Sequence, residues 1–305
     1  MTASAGPISS IEHEIGAHGT LTLSIPFGTI QIHAVEGATA RVRDVAQHDP
    51  LLRAEQAAGS LRVEMVHSRG LRWGRPPAPE MQVEVPAGAR VEVDTTAAEV
   101  TVHGLLGEQR FRTVSGSIRL EQGAGAIDVT GVAGDVWVDA AGPLQARVRT
   151  VSGKVQLRAP AWRLLEVHTM SGAVHVEGRI LPGAHRIETV SGDAALVGTT
   201  DMAAEASTLS GDITTDLPHT TSGGLGRRSM RLGGGDAKVT FRSMSGDLAI
   251  LRGPVRPSPA ESVEPRAAAA AADAEAARLR ILEALEQGAI DVPEATRRLA
   301  ELDRA

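Results

Sequence analysis

Apolar and polar residues alternate along most of the first 250 positions. Leu21, Leu23 and Ile25 lead to Gly28, then Ile30 and Ile32; Leu61, Val63 and Met65 follow Gly59. Met81, Val83 and Val85 come next, then Val91 and Val93. Phe111 and Thr113 precede Ile118 and Leu120, and Val155 and Leu157, Leu165 and Val167, Val174 and Val176 keep the step of two. A period of two, rich in β-branched residues, marks half-buried strands. The pattern predicts a β domain over residues 20–252, irregular over 20–94 and regular over 95–252, behind a flexible N-terminus at 1–19. The stretch 69–79, RGLRWGRPPAP, breaks the alternation and reads as an exposed loop.

One phrase recurs between the strands. It stands at Thr113-Val114-Ser115-Gly116, Thr150-Val151-Ser152-Gly153, Thr169-Met170-Ser171-Gly172, Thr189-Val190-Ser191-Gly192, Thr208-Leu209-Ser210-Gly211 and Ser243-Met244-Ser245-Gly246. The glycines are separated by 37, 19, 20, 19 and 35 positions, and a degenerate copy at Val132-Ala133-Gly134 divides the first gap. A fainter one at Thr96-Ala97-Ala98 extends the series upstream. A fixed period of this kind is the signature of a repeat architecture. About nineteen residues at roughly 3.3 Å each give a contour near 63 Å, which suits one coil with two or three short sides. Stacked coils would lie about 4.8 Å apart. The constant phase of Ser-Gly predicts a parallel β-solenoid, its corners formed where glycine is free to take positive φ. An antiparallel sandwich of hairpins is the rival architecture. The last gap holds a Gly-rich segment, Thr220 to Gly235, read as a flexible insertion.

Past Gly253 the pattern changes. GPVRPSPAESVEPR, residues 253–266, carries four prolines and reads as a linker. Residues 267–305 then predict a helical hairpin: Leu279, Ile281, Leu282 and Leu285 share one side, and Gly288 ends the first helix. Asp291 caps the second with Glu294 three residues on, and Leu299 and Leu302 give it an apolar side. Ile281, Leu282, Leu285, Leu299 and Leu302 therefore form a candidate docking face, on the chain's own solenoid or on another chain.

Composition narrows the chemistry. Aromatics make up 2% of the 305 residues, too few for the stacking platforms that bind sugars or unpaired bases. Cysteine is absent, which removes disulfides, thiol nucleophiles and Cys-containing zinc sites. A net charge of -6 argues against nucleic acid as a partner. No apolar run reaches the length of a membrane span. The first nineteen residues show neither a basic nor an apolar signal region, so the expectation is a cytoplasmic chain, peripheral to a membrane at most.

The T-V-S-G-[DS]-[IV] phrase over a strand array resembles the bacterial putative-adhesin family of β-strand-repeat proteins. The stretch from Ile281-Leu282-Glu283 through Gly288, Ile290 and Glu294 to Leu302 resembles a SHOCT-like helical hairpin. The resemblance is close over residues 90–305 and weak before them. It implies a β-strand-repeat fold, surface binding, and association with envelope-stress or membrane-associated systems. This chain departs from exported members in lacking a signal region or an apolar span.

Few residues suggest a site. The residue after Ser-Gly is Asp193, Asp212 or Asp247 in three coils, and stacked carboxylates roughly 5 Å apart form a candidate cation edge. Aspartate also favours turns, which is the simpler role. The corner serines, Ser115, Ser152, Ser171, Ser191, Ser210 and Ser245, read as a hydrogen-bonding ladder, because a nucleophile needs a singular base and orienting partner. His168 and His175 flank one corner; Arg69, Arg72, Trp73 and Arg75 form a basic-aromatic cluster. Arg227, Arg228 and Arg231 precede a glycine run without the order of a phosphate loop. No motif implies a catalytic residue, a cofactor or a metal. Repetition without a catalytic constellation points to a non-enzymatic binding or scaffold protein, with a protein partner or self-association expected. Filaments built through open strand edges are the alternative. A carbohydrate-active β-helix enzyme would need aromatic subsites that this composition does not supply.

Overall fold

The computed structural model describes residues 2–7, 10–46, 51–66, 78–198, 202–224, 227–232 and 235–253. Among these residues the period-two segments fold into 23 strands. The first part of the chain gives β1 (Thr2–Pro7), β2 (Ser10–Glu14), β3 (Thr20–Ser24), β4 (Phe27–Val35), β5 (Thr39–Asp44), β6 (Leu51–Ala57), β7 (Ser60–Met65) and β8 (Glu80–Pro86). The regular repeats give β9 (Arg90–Thr95), β10 (Ala97–His103), β11 (Glu108–Thr113), β12 (Ile118–Gly131), β13 (Val136–Ser152), β14 (Val155–Ser171), β15 (Val174–Ile180), β16 (Gly183–Ser191) and β17 (Ala194–Gly198). The end is built from β18 (Met202–Ser210), β19 (Ile213–Thr215), β20 (His219–Gly224), β21 (Arg227–Leu232), β22 (Ala237–Ser245) and β23 (Leu248–Arg252).

Two ladders run side by side. The front ladder pairs β7, β3, β9, β11, the second halves of β12, β13 and β14, then β16, β22 and β18, all parallel. The back ladder pairs β8, β4, β10, the first halves of β12, β13 and β14, then β15, β17, β23 and β19 in the same way. Six of the coils, from β11 onward, run from a front strand through a Ser-Gly corner to a back strand, and the coil of β12 and β13 turns at Ala133-Gly134. Ten coils stack in all, spanning about 43 Å at ~4.8 Å each. The fold is mainly β and solenoid-like.

The apolar phase of every strand points inward and aligns in register. Val63, Leu23, Val93, Phe111, Val129, Val148, Val167, Ile187, Phe241 and Ala206 form one buried column of the front ladder. Val83, Ile32, Val102, Leu120, Val138, Leu157, Val176, Leu196 and Ile250 face it from the back ladder. Phe241 stacks between Ile187 and Ala206, so a large ring is matched by a small neighbour. Trp162 is fully buried within β14, and its indole N–H donates to the Glu177 carbonyl at 3.1 Å.

The glycine column explains why the corner phrase repeats. A Cβ added at Gly134 would fall on the Gly116 carbonyl, one at Gly153 on that of Gly134, and one at Gly172 on that of Gly153. The series continues through Gly192, Gly246 and Gly211. Gly153 sits at φ 121°, whereas Gly172 and Gly192 in the same column do not take positive φ. Close approach of backbone to backbone is therefore the shared requirement, and conformational freedom is needed at only some corners.

Two expectations are corrected, and the stacking order is itself a finding. The first nineteen residues are not a free tail: β1 pairs antiparallel with β6, and β2 pairs antiparallel with β5. Arg41 of β5 bonds Glu12 of β2 at 3.0 Å, and that bond holds the Glu12 carboxyl below its ordinary range. The Gly-rich insertion is ordered as a hairpin: β20 pairs β21, and β21 pairs β18, both antiparallel. Finally, the stack does not follow chain order. β22 lies between β16 and β18, so the last repeat in sequence is threaded inside the one before it. The coil of β7 and β8 likewise stands outside that of β3 and β4. Residues 254–305, including the predicted hairpin and its face Ile281, Leu282, Leu285, Leu299 and Leu302, lie outside the described residues, as does the Arg69–Arg75 cluster.

Two predictions follow from this packing. Gly172→Ala will lower stability by about 1–3 kcal/mol through overpacking. Gly131→Ala will be neutral or will stabilise by up to about 1 kcal/mol, because its added methyl meets only Thr113 Cγ2 at 3.5 Å and Thr150 Oγ1 at 3.6 Å. Urea midpoints of the two variants check the pair, and equal losses would contradict the close-approach account. The second concerns His185, which is buried and bonds the Leu181 carbonyl at 2.8 Å through Nε2. Burial lowers the pKa of its imidazole, a change the Leu181 bond only partly offsets. The unfolded chain takes up this proton near pH 6.5 and the folded chain only at lower pH, so acidification through that range favours unfolding. Thermal midpoints measured from pH 7.5 to 5 will fall, and His185→Gln will flatten part of that slope.

Candidate binding groove

Front strands end at the corner in a fixed order: an outward polar residue, an inward Thr, an outward apolar residue, then Ser-Gly. The inward hydroxyl residues Thr113, Thr150, Thr169, Thr189, Ser243 and Thr208 are all buried. The outward apolar residues are Val114, Val132, Val151, Met170, Val190, Met244 and Leu209 in stacking order, and each is 40–55% exposed. One such side chain per coil makes a continuous apolar row on the surface. Sequence alternation alone had assigned the inward phase and passed over this row. Its signal is nonetheless present: at each corner the polar residue takes the inward phase and the apolar one the outward phase.

Over the C-terminal coils the row becomes one wall of a groove of about 570 Å³. Met170, Val190, Met244 and Leu209 line that wall, and Arg149, His168, Glu188, Arg242 and Ser207 line the opposite one. The floor is the strand backbone at Thr150, Thr169, Thr189, Ser243 and Thr208, whose side chains point inward. The walls belong to residues two apart on each strand, so they stand about 7 Å from each other. His168 Nδ1 lies 3.0 Å from Glu188 Oε2, and Arg186 reaches the same carboxylate at 3.4 Å. Arg149 and Arg242 are exposed and have no ion-pair or hydrogen-bond partner among the described residues. Thr150 and Thr208 donate to the carbonyls of Ser152 and Ser210 at 3.1 and 3.2 Å. The buried hydroxyls of Thr169, Thr189 and Ser243 have no partner.

The aspartates of the candidate cation edge are brought together, in the order Asp193, Asp247, Asp212. Asp193 Oδ1 accepts the main-chain N–H of Asp247 at 2.9 Å, and Asp247 Oδ1 accepts that of Asp212 at 2.8 Å. Asp135 Oδ1 does the same for Lys154 at 2.8 Å. Asp135, Asp193 and Asp247 thus each cap a corner amide in the next coil, which gives aspartate a structural reason to recur there. Among the described residues no group of three or more His, Asp or Glu side chains is arranged to hold a metal. Of the corner serines, Ser115 donates to the Thr96 carbonyl at 3.1 Å and Ser152 to that of Val132 at 3.3 Å, across adjacent coils. His168 and His175 are not brought together: His168 is on the front ladder, His175 on the back.

Solved structures to which the chain is similar include a putative cell adhesion protein from Clostridium sporogenes, at 10% identity and TM-score 0.23, covering 82% of this chain and 100% of that one. A putative adhesin from Bacteroides fragilis shares 12% identity at TM-score 0.34, covering 80% and 95%. A putative adhesin from Parabacteroides distasonis shares 7% at TM-score 0.29, covering 82% and 97%. No curated protein matches. The family described as Toastrack DUF4097 matches residues 16–251, the whole of the parallel stack, and the chain belongs to that family.

Proposed function

We propose that this chain is a non-enzymatic binding module that presents its Ser-Gly corner to a protein partner. The observation that carries the reading is the apolar row from Val114 to Leu209, one exposed side chain per coil. A folded chain gains nothing by leaving seven aligned apolar groups in water, and contiguous exposed apolar surface marks interaction sites. The corner itself requires only Ser and Gly. Antiparallel β1 and β2 at one end and β20–β21 at the other interrupt the parallel register. The back edge at the second end is the three-residue β19. Short and antiparallel edges discourage end-to-end growth, which weighs against a filament. In this proposal residues 267–305 add a helical hairpin for assembly or docking, on the strength of the spacing of Ile281, Leu282, Leu285, Leu299 and Leu302.

Photo-cross-linking in the native cell tests the reading. A benzophenone side chain at Met244 will give a discrete protein adduct that is lost on adding Leu209→Asp. The same probe at Trp137, on the back ladder, will not. Identical adducts from both positions would contradict the proposal.

A further inference from the structure

The groove has properties that specify its occupant more closely, and the inference rests on the binding-module reading. An α-helix is about 10–12 Å across with its side chains, whereas the groove walls stand about 7 Å apart. An extended chain fits between them, with its side chains alternating toward opposite walls. The two walls differ in kind: Met170, Val190, Met244 and Leu209 on one, and Arg149 and Arg242 at separate positions on the other. Between the arginines stands the His168–Glu188 pair, with Nδ1 3.0 Å from Oε2. Three coil steps separate Arg149 from Arg242, through His168 and Glu188, or roughly 14 Å. Residues i and i+4 of an extended segment project to the same side about 13 Å apart.

From this match we propose that the groove binds an extended segment of a partner protein. The segment carries carboxylates at i and i+4, apolar residues at i+1 and i+3 and an uncharged residue at i+2. The carboxylates meet Arg149 and Arg242, the uncharged residue faces His168 and Glu188, and the apolar pair lies on the methionine-containing wall. Met is well suited to such a surface because its unbranched side chain adapts to its partner. A lipid surface matches less well. Asp135, Asp193, Asp247 and Asp212 are exposed on the far side of the apolar row, where they repel anionic headgroups. The row also lacks the aromatic residues favoured at membrane interfaces.

The test is fluorescence anisotropy with the full chain and a labelled peptide, Gly-Ser-Glu-Val-Thr-Val-Glu-Ser-Gly. Binding will be saturable. It will weaken at least tenfold in Arg149→Glu/Arg242→Glu, in Met244→Lys, and when Lys replaces both peptide Glu residues. Arg163→Glu, exposed at the opposite corner, will bind as the parent does. These positions are on the surface, so thermal midpoints will confirm that each variant is folded. Absence of saturable binding, or binding indifferent to both groove variants, overturns the inference. So does Met244-dependent sedimentation with phosphatidylglycerol vesicles in the absence of peptide binding. A specific cross-link at Met244 together with a failed peptide titration leaves the binding face standing and removes only the extended segment.

Discussion

Backbone meets backbone at the Ser-Gly corner, and the arrangement of the whole stack depends on that contact. Each corner glycine, Gly116, Gly134, Gly153, Gly172, Gly192, Gly246 and Gly211 in stacking order, packs against the carbonyl of the coil before it, in the space a methyl group would need. The contact fixes where every coil turns, so residues at equal offsets from the corner must align across coils. Three columns follow: the buried hydroxyls, the exposed apolar row and the aspartates that cap the next corner's amide. None of them needs a long-range instruction beyond the glycine. Where Ala98 holds that place, the neighbouring Gly116 provides the room, its own Cβ site lying on the Ala98 carbonyl.

The stack is also stitched at its ends. At one end β22 and β23 enter between the coil of β16 and β17 and that of β18 and β19. At the other, the coil of β7 and β8 flanks β3 and β4, which precede it in the chain. Each terminal coil is thus an internal segment of the chain, joined on both sides to strands of the same domain. The antiparallel strands then turn the outer edges away from further parallel addition. Such stitching leaves the sides, rather than the ends, as the surface for recognition.

Much of this was legible in residue order. Period-two alternation located the strands of the β domain, and the phase of Thr-Val-Ser-Gly pointed to parallel stacking. The threading of β22 was not legible, because Gly192, Gly211 and Gly246 sit in equivalent phrases and any of them can follow another by local criteria. Nor was strand Arg227–Leu232, whose glycine-rich neighbours argued for a loop when its pairing to β18 and β20 makes it a strand. The N-terminal strand Ser10–Glu14 is short and charged, and it is defined by its partner Arg41 more than by its own pattern. The groove escaped for another reason. Alternation was read for what it buries, while the binding surface is written in the residues it leaves out, Met170, Val190, Met244 and Leu209.

The stacking order is the claim on which groove, walls and row all rest, since Met244 lies between Val190 and Leu209 only if β22 is threaded inside β18. The chain has no cysteine, which makes the order directly measurable. A disulfide forms between Cα atoms up to about 7 Å apart, a distance that adjacent coils at about 4.8 Å satisfy and alternate coils do not. Under mild oxidation Val190→Cys/Met244→Cys will close a disulfide, and Val190→Cys/Leu209→Cys will remain reduced. Closure of the second pair with the first left open would show the repeats stacked in chain order, and the groove as described would not exist.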